Sequence, residues 1–142
     1  MKKLIFVIAI SIVAIKGMAQ QKKLKDLVGR WEIVGEKDSA TLEVIDSSNI
    51  TLTYNGEKKK IIDYKIDFAK SPIWFDFSTI DSSYTTVTVK SLLEVMNDNM
   101  IKWQLFVDEE RTPYFSSSKG ELFYLKKAKP VATTVVSVVS NQ

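Results

Sequence analysis

The chain has 142 residues with 20 Lys plus Arg against 17 Asp plus Glu, and it contains no His and no Cys. The missing residue types exclude disulfides, thiol and histidine-assisted nucleophiles and histidine-ligated haem, and they leave little from which a zinc site is usually built. The length suits one domain able to bury its own core.

Met1-Lys2-Lys3 is followed by a mostly apolar run, Leu4 to Ile15, and then by Gly17-Met18-Ala19. Two lysines, a short apolar stretch and small residues before a cut describe a secretory signal peptide over 1–19. The run falls well short of the roughly twenty residues that span a bilayer. An uncleaved anchor is the competing reading, favoured by Lys16 close to the cut. Cleavage predicts a periplasmic or extracellular protein. It also removes Lys2, Lys3 and Lys16, which leaves 17 basic against 17 acidic residues. The basic face that a nucleic-acid partner needs is therefore not expected. The one tight basic cluster, Lys58-Lys59-Lys60, reads as a solvated hairpin flank.

Lys22 to Val28 is a helical turn with Leu24, Leu27 and Val28 on one side, closed by Gly29. From Trp31 the hydrophobic period changes to two. Ile50, Leu52 and Tyr54 alternate with threonines, and Asn55-Gly56 supplies the two positive-φ residues of a tight hairpin. Ile62, Tyr64 and Ile66 continue the alternation, as do Ile73, Phe75 and Phe77, then Val87 and Val89. After the turn Asn97-Asp98-Asn99 come Ile101, Trp103, Leu105 and Val107, and a final strand carries Leu122 to Leu125. Eight or nine short strands follow, with no helix long enough for a parallel crossover. Sequential hairpins that curl until the edges meet give an all-β, antiparallel up-and-down barrel of about eight strands over residues 20–129, with a β-sandwich as the alternative. The apolar tail, 130–142, reads either as an extra strand or as a loose terminus.

Gly29-Arg30-Trp31, opening the first strand after a short helical turn, resembles the G-x-W signature of lipocalins. Ser91-Leu92-Leu93-Glu94, the Asn97-Asp98-Asn99 turn, Met100 to Phe106, Arg111-Thr112-Pro113-Tyr114-Phe115 and Gly120 to Lys126 together resemble the bacterial secreted lipocalin-like domains. The likeness runs from about Leu24 to Lys127. Three positions depart from the pattern: Ser91 replaces a glycine, Met100-Ile101-Lys102 replaces Leu-Lys, and Thr112 separates Arg111 from Pro113. The resemblance implies an antiparallel barrel with an apolar interior, and it implies no ligand and no reaction. It also implies that Trp31 plugs one end of the barrel, with Lys126, Lys127 or Arg111 lying across its ring.

Choosing the more apolar parity of each strand points Ile33, Val44, Leu52, Tyr54, Ile62, Tyr64, Phe75, Phe77, Val89, Trp103, Leu105 and Tyr124 inward. Such a set is either a packed core or the wall of a cavity for one small apolar ligand. The candidate ligand contacts are Tyr54, Tyr64, Phe75, Trp103 and Tyr124, with no cofactor and no metal. Trp74 and Phe106, on the outward parity, and the apolar tail point instead to a solid barrel that binds an envelope protein or polymer through its surface. Asp108-Glu109-Glu110 is the densest acidic run and reads as a solvated turn, so no enzyme is expected. Asp46, Asp81 and Asp98 sit in turns where each side chain can bond its own backbone. A monomer or weak dimer is expected.

Overall fold

The computed structural model describes residues 22–35 and 40–130. The expected signal peptide and nearly all of the apolar tail lie outside these residues. A 3-10 turn, Leu24–Leu27, leads into nine strands: β1 (Gly29–Ile33), β2 (Ala40–Asp46), β3 (Asn49–Tyr54), β4 (Glu57–Lys60), β5 (Asp63–Asp67), β6 (Ile73–Ile80), β7 (Thr86–Asn97), β8 (Met100–Phe106) and β9 (Glu121–Lys127). They form one antiparallel, barrel-like sheet in the order β4-β3-β2-β1-β9-β8-β7-β6-β5. Every neighbouring pair is consecutive in the chain except β1 and β9, which join first strand to last.

Turn chemistry sets several of these junctions. Asn55 and Gly56 take φ of 51° and 79° between β3 and β4, as the Asn-Gly pair demands. The Asp46 and Asp81 carboxylates accept backbone N–H groups two residues on, from Ser48 and Ser83. At the third of the expected aspartate turns the acceptor is the Asn97 side chain, which takes the Asn99 N–H, so the role expected of Asp98 falls to its neighbour.

The inward faces hold the core. Burial alternates along all of β6, with Ile73, Phe75, Phe77 and Thr79 inside. Trp31, Leu42, Leu93, Ile101, Trp103 and Leu125 are fully buried. At about 25 cal/mol per Å² of apolar surface removed from water, a core of this size supplies the main drive for the fold, since no disulfide contributes.

The two ends of the sheet order, β4 and β5, are successive in sequence and separated only by Ile61 and Ile62. Ile61 donates its N–H to the Ile50 carbonyl on the β3 side, and Ile62 donates to the Ser78 carbonyl on the β6 side, each at 2.9 Å. Inward parity changes at this junction. Glu57 and Lys59 stand opposite Tyr54 and Leu52, whereas in the next strand Tyr64 and Ile66 stand opposite Phe77 and Phe75. Ile62, expected inward, is 48% exposed, and Ile61 is buried in its place. Two consecutive N–H groups serving opposite strands leave room for only one of the two isoleucine side chains in the core.

The 14-residue connection from Val107 to Gly120 folds back over the outer face of β6, β7 and β8. Gln104, outward on β8, donates from Nε2 to the carbonyls of Ser116 (2.7 Å) and Lys119 (2.6 Å) and accepts the Ser116 N–H at 2.9 Å. Phe106 and Leu92, also outward, are buried. At Gly120 the chain comes so close that a Cβ would sit 2.7 Å from the Leu105 carbonyl oxygen and 2.9 Å from the Phe106 ring. Phe106 is thus covered, not an exposed patch, and Trp74 is half-buried beneath Arg111.

Candidate functional site

Of the five candidate contacts, Tyr64, Phe75 and Trp103 meet one another, together with Phe77, inside the barrel-like sheet. Phe75 stacks on Trp103 with ring centroids 6.0 Å apart and planes within 20°. Phe77 lies 5.8 Å from the same indole and 5.3 Å from Phe75. Tyr64 meets Phe75 edge-on at 6.3 Å. Phe75, Phe77 and Trp103 are each within 1% of complete burial, so this part of the interior is filled by their own rings.

A buried indole needs an acceptor for its N–H. Trp103 donates from Nε1 to the Ser91 hydroxyl at 2.9 Å, and the Ser91 hydroxyl donates in turn to the Phe75 carbonyl. The β6–β7 ladder pairs Trp74 with Leu92, lapses, and resumes at Phe77 with Val89. Ser91 satisfies the carbonyl within that lapse. The Ser91 hydroxyl thus ties three core strands together.

Tyr54 and Tyr64 place their hydroxyls at the margins. The Tyr64 hydroxyl donates to the Ser47 carbonyl at 2.7 Å, reaching from β5 to the β2–β3 turn. The Tyr54 hydroxyl donates to Glu121, and its ring meets Phe123 edge-on at 6.3 Å. The hydrogen bond to Glu121, reinforced by partial burial, holds the Tyr54 phenol above its usual pKa. Asn49 and Ser48 donors hold Asp46 below the usual carboxylate range. Glu109, in the acidic run, accepts the Gly120 N–H at 2.7 Å and so anchors the end of the covering segment.

Tyr124 does not join this group. It is 42% exposed on the outer face, where Lys102 lies 5.8 Å from its ring and 4.3 Å from that of Phe115. Phe123 and Leu125 take the inward positions of β9. Both parities of this strand are apolar, so alternation alone could not choose between them.

Trp31 packs beside the 3-10 turn. It is fully buried, donates from Nε1 to the Leu27 carbonyl of the 3-10 turn at 2.8 Å, and carries the Lys127 ammonium 5.4 Å from its ring. Lys127 is also its cross-strand partner. Gly29, at φ 133°, makes room for this arrangement, because a Cβ there would meet Lys127 Cε at 2.8 Å. The spacing of glycine and tryptophan follows: one admits the lysine stem, the other receives its charge.

A cleft of about 500 Å³ opens beside the core at the β5–β6 loop. Phe68, Pro72, Ile73, Leu93 and Val95 supply apolar walls, Lys22 and Lys70 supply cations, and Glu94 supplies one carboxylate. Leu93 stands directly opposite both Ile73 and Trp103, so the cleft abuts the aromatic cluster. Sequence reasoning passed over this region because Phe68 and Pro72 lie in a loop. The signal available was an apolar pair flanking Lys70. Among the described residues no group of three or more acidic side chains could hold a metal ion, and no helix is long and apolar enough to cross a membrane.

No family model, no curated protein and no solved structure matches the chain.

Proposed function

We propose that the chain is an exported, non-catalytic, lipocalin-like binding protein that takes a small hydrophobic molecule with an acidic head in the cleft beneath the β5–β6 loop. In this reading β4 and β5 act as one bent strand, and the sheet closes through Ile61 and Ile62 into an eight-stranded barrel. The cleft carries the reading: at about 500 Å³ it falls in the range of small-molecule sites, with apolar walls and two cations, Lys22 and Lys70, against the single carboxylate of Glu94. The filled middle moves the ligand away from Phe75 and Trp103 themselves to the cleft wall formed by Ile73 and Leu93. The first nineteen residues support export to the periplasm or beyond.

Fatty acids and isoprenoid acids titrated into the purified protein should change the tryptophan fluorescence saturably, because Trp103 lies one strand from the cleft. Val95→Asp, which puts a charge in the cleft wall, should abolish the change, and Lys70→Glu should weaken acids more than their alcohols. Absence of saturation across the panel, together with no co-purifying mass in native mass spectrometry, refutes the reading. So does quenching that survives Val95→Asp.

A second reading, an envelope-protein partner, is favoured by Leu122 and Tyr124, which lie on one outer face of β9 and are 38% and 42% exposed. Leu122→Ser with Tyr124→Ser should then remove a protein captured from envelope extract. An unchanged captured set speaks against it.

A further inference from the structure

The outer face of β5 and β6 carries a second constellation, which shares Lys70 with the edge of the cleft. In the register Lys65 stands opposite Asp76, and Asp67 opposite Trp74. The covering segment lowers Arg111 onto this square. Its Nη1 donates to Asp76, and its guanidinium carbon lies 3.8 Å from the Trp74 ring centroid. Lys70 places its ammonium 4.9 Å from the same ring. Lys65, Asp67, Trp74, Asp76 and Arg111 enclose a cavity of about 160 Å³.

Hydrogen-bond accounting makes this more than a strut. The Arg111 side chain is only 9% exposed, yet a guanidinium carries five N–H donors. Asp76 takes a hydrogen from Nη1, and among the described residues no acceptor is paired with Nε or Nη2. Among the described residues no carboxylate lies within ion-pair distance of Lys65. Asp67, by contrast, already accepts the Ala69 N–H at 3.0 Å, and Asp76 is engaged by Arg111. The three cations Lys65, Lys70 and Arg111 outnumber the two carboxylates around one indole. Buried donors without acceptors are costly, and an oxyanion is the group that satisfies a guanidinium edge best.

We propose that this cavity is a binding subsite for a single oxyanion, a phosphate or carboxylate group, held by the free edge of Arg111 and by Lys65 beside Trp74. At about 30 Å³ per water, the space admits one tetrahedral oxyanion or a handful of waters. Asp76 occupies Arg111 Nη1, which leaves Nε and Nη2 as the donors for the oxyanion. A phosphate ester or a carboxylated ligand presents the same chemistry, and two small probes separate them.

The test follows the Trp74 indole and Arg111 Nε resonances by NMR while inorganic phosphate or acetate is added at constant ionic strength, with chloride as the control. Saturable shifts of both resonances by at least one probe, with Kd on the order of 1 mM, are expected. Phosphate dominance indicates a phosphate ligand and acetate dominance a carboxylate. Lys65→Gln, at an exposed position, should weaken binding about tenfold while leaving the remaining spectrum unchanged. Arg111→Lys keeps the charge but loses the fork and should abolish the saturable shift. Linear shifts that chloride reproduces overturn the proposal, as does undiminished affinity in Lys65→Gln.

Discussion

Ser91 spends one hydroxyl on two buried partners, the Trp103 indole and the Phe75 carbonyl, inside an interrupted ladder. Removing it strands both, and a buried unsatisfied group costs about 1 to 3 kcal/mol. Ser91→Ala should therefore lower the unfolding free energy by that amount in urea titration. Trp31→Ala removes a fully buried indole with its Leu27 bond and its Lys127 contact, and a loss of roughly 3 to 5 kcal/mol is expected. An unchanged melting temperature in that variant contradicts the plug. Tyr54 supplies a pH dependence whose sign is fixed by Glu121. The folded protein holds the phenol above its usual pKa, so the contribution of Tyr54 is complete below about pH 10 and is lost as pH rises through the higher folded value. Urea midpoints of wild type and Tyr54→Phe should differ near neutrality and converge in strong alkali. A gap independent of pH defeats that assignment.

The strap from Val107 to Gly120 rests on Gln104, whose amide meets three backbone groups at once. Gln104→Ala should free the strap while the sheet persists, seen as faster proteolysis near Ser116 with little change in far-ultraviolet circular dichroism. This strap also shows where sequence reading stops. Local chemistry was legible: Asn55-Gly56 turns as two positive-φ residues must, and β6 alternates because one face is buried and the other is not. Phe75, Tyr64 and Trp103 meet as their parity requires. The cover over Trp74 and Phe106 was not legible, because apolar side chains on an outward parity fit a lid as well as an exposed patch. The phase change at Ile61-Ile62 was hidden for a similar reason, since two adjacent isoleucines satisfy either register. Tyr124 and Phe123 pose the same ambiguity, settled only by which neighbours each face meets.

For the molecule as a whole, the decisive junction is the pair of amides at Ile61 and Ile62, bonded to β3 and to β6. A barrel closed there should protect both amides against hydrogen exchange nearly as well as the central strands. Rapid exchange at both would mean that the margins part in solution. The middle of the sheet order is held by β1 and β9, where Ala128 donates to the Arg30 carbonyl at 2.8 Å. The first and last strands are thus neighbours, and the linear order of the chain is incidental to its architecture. A circular permutant that joins Pro130 to Lys22 through a short glycine-serine linker and opens at Ser83, beside the 93% exposed Tyr84, should regain the native near-ultraviolet spectrum with only a modest fall in melting temperature.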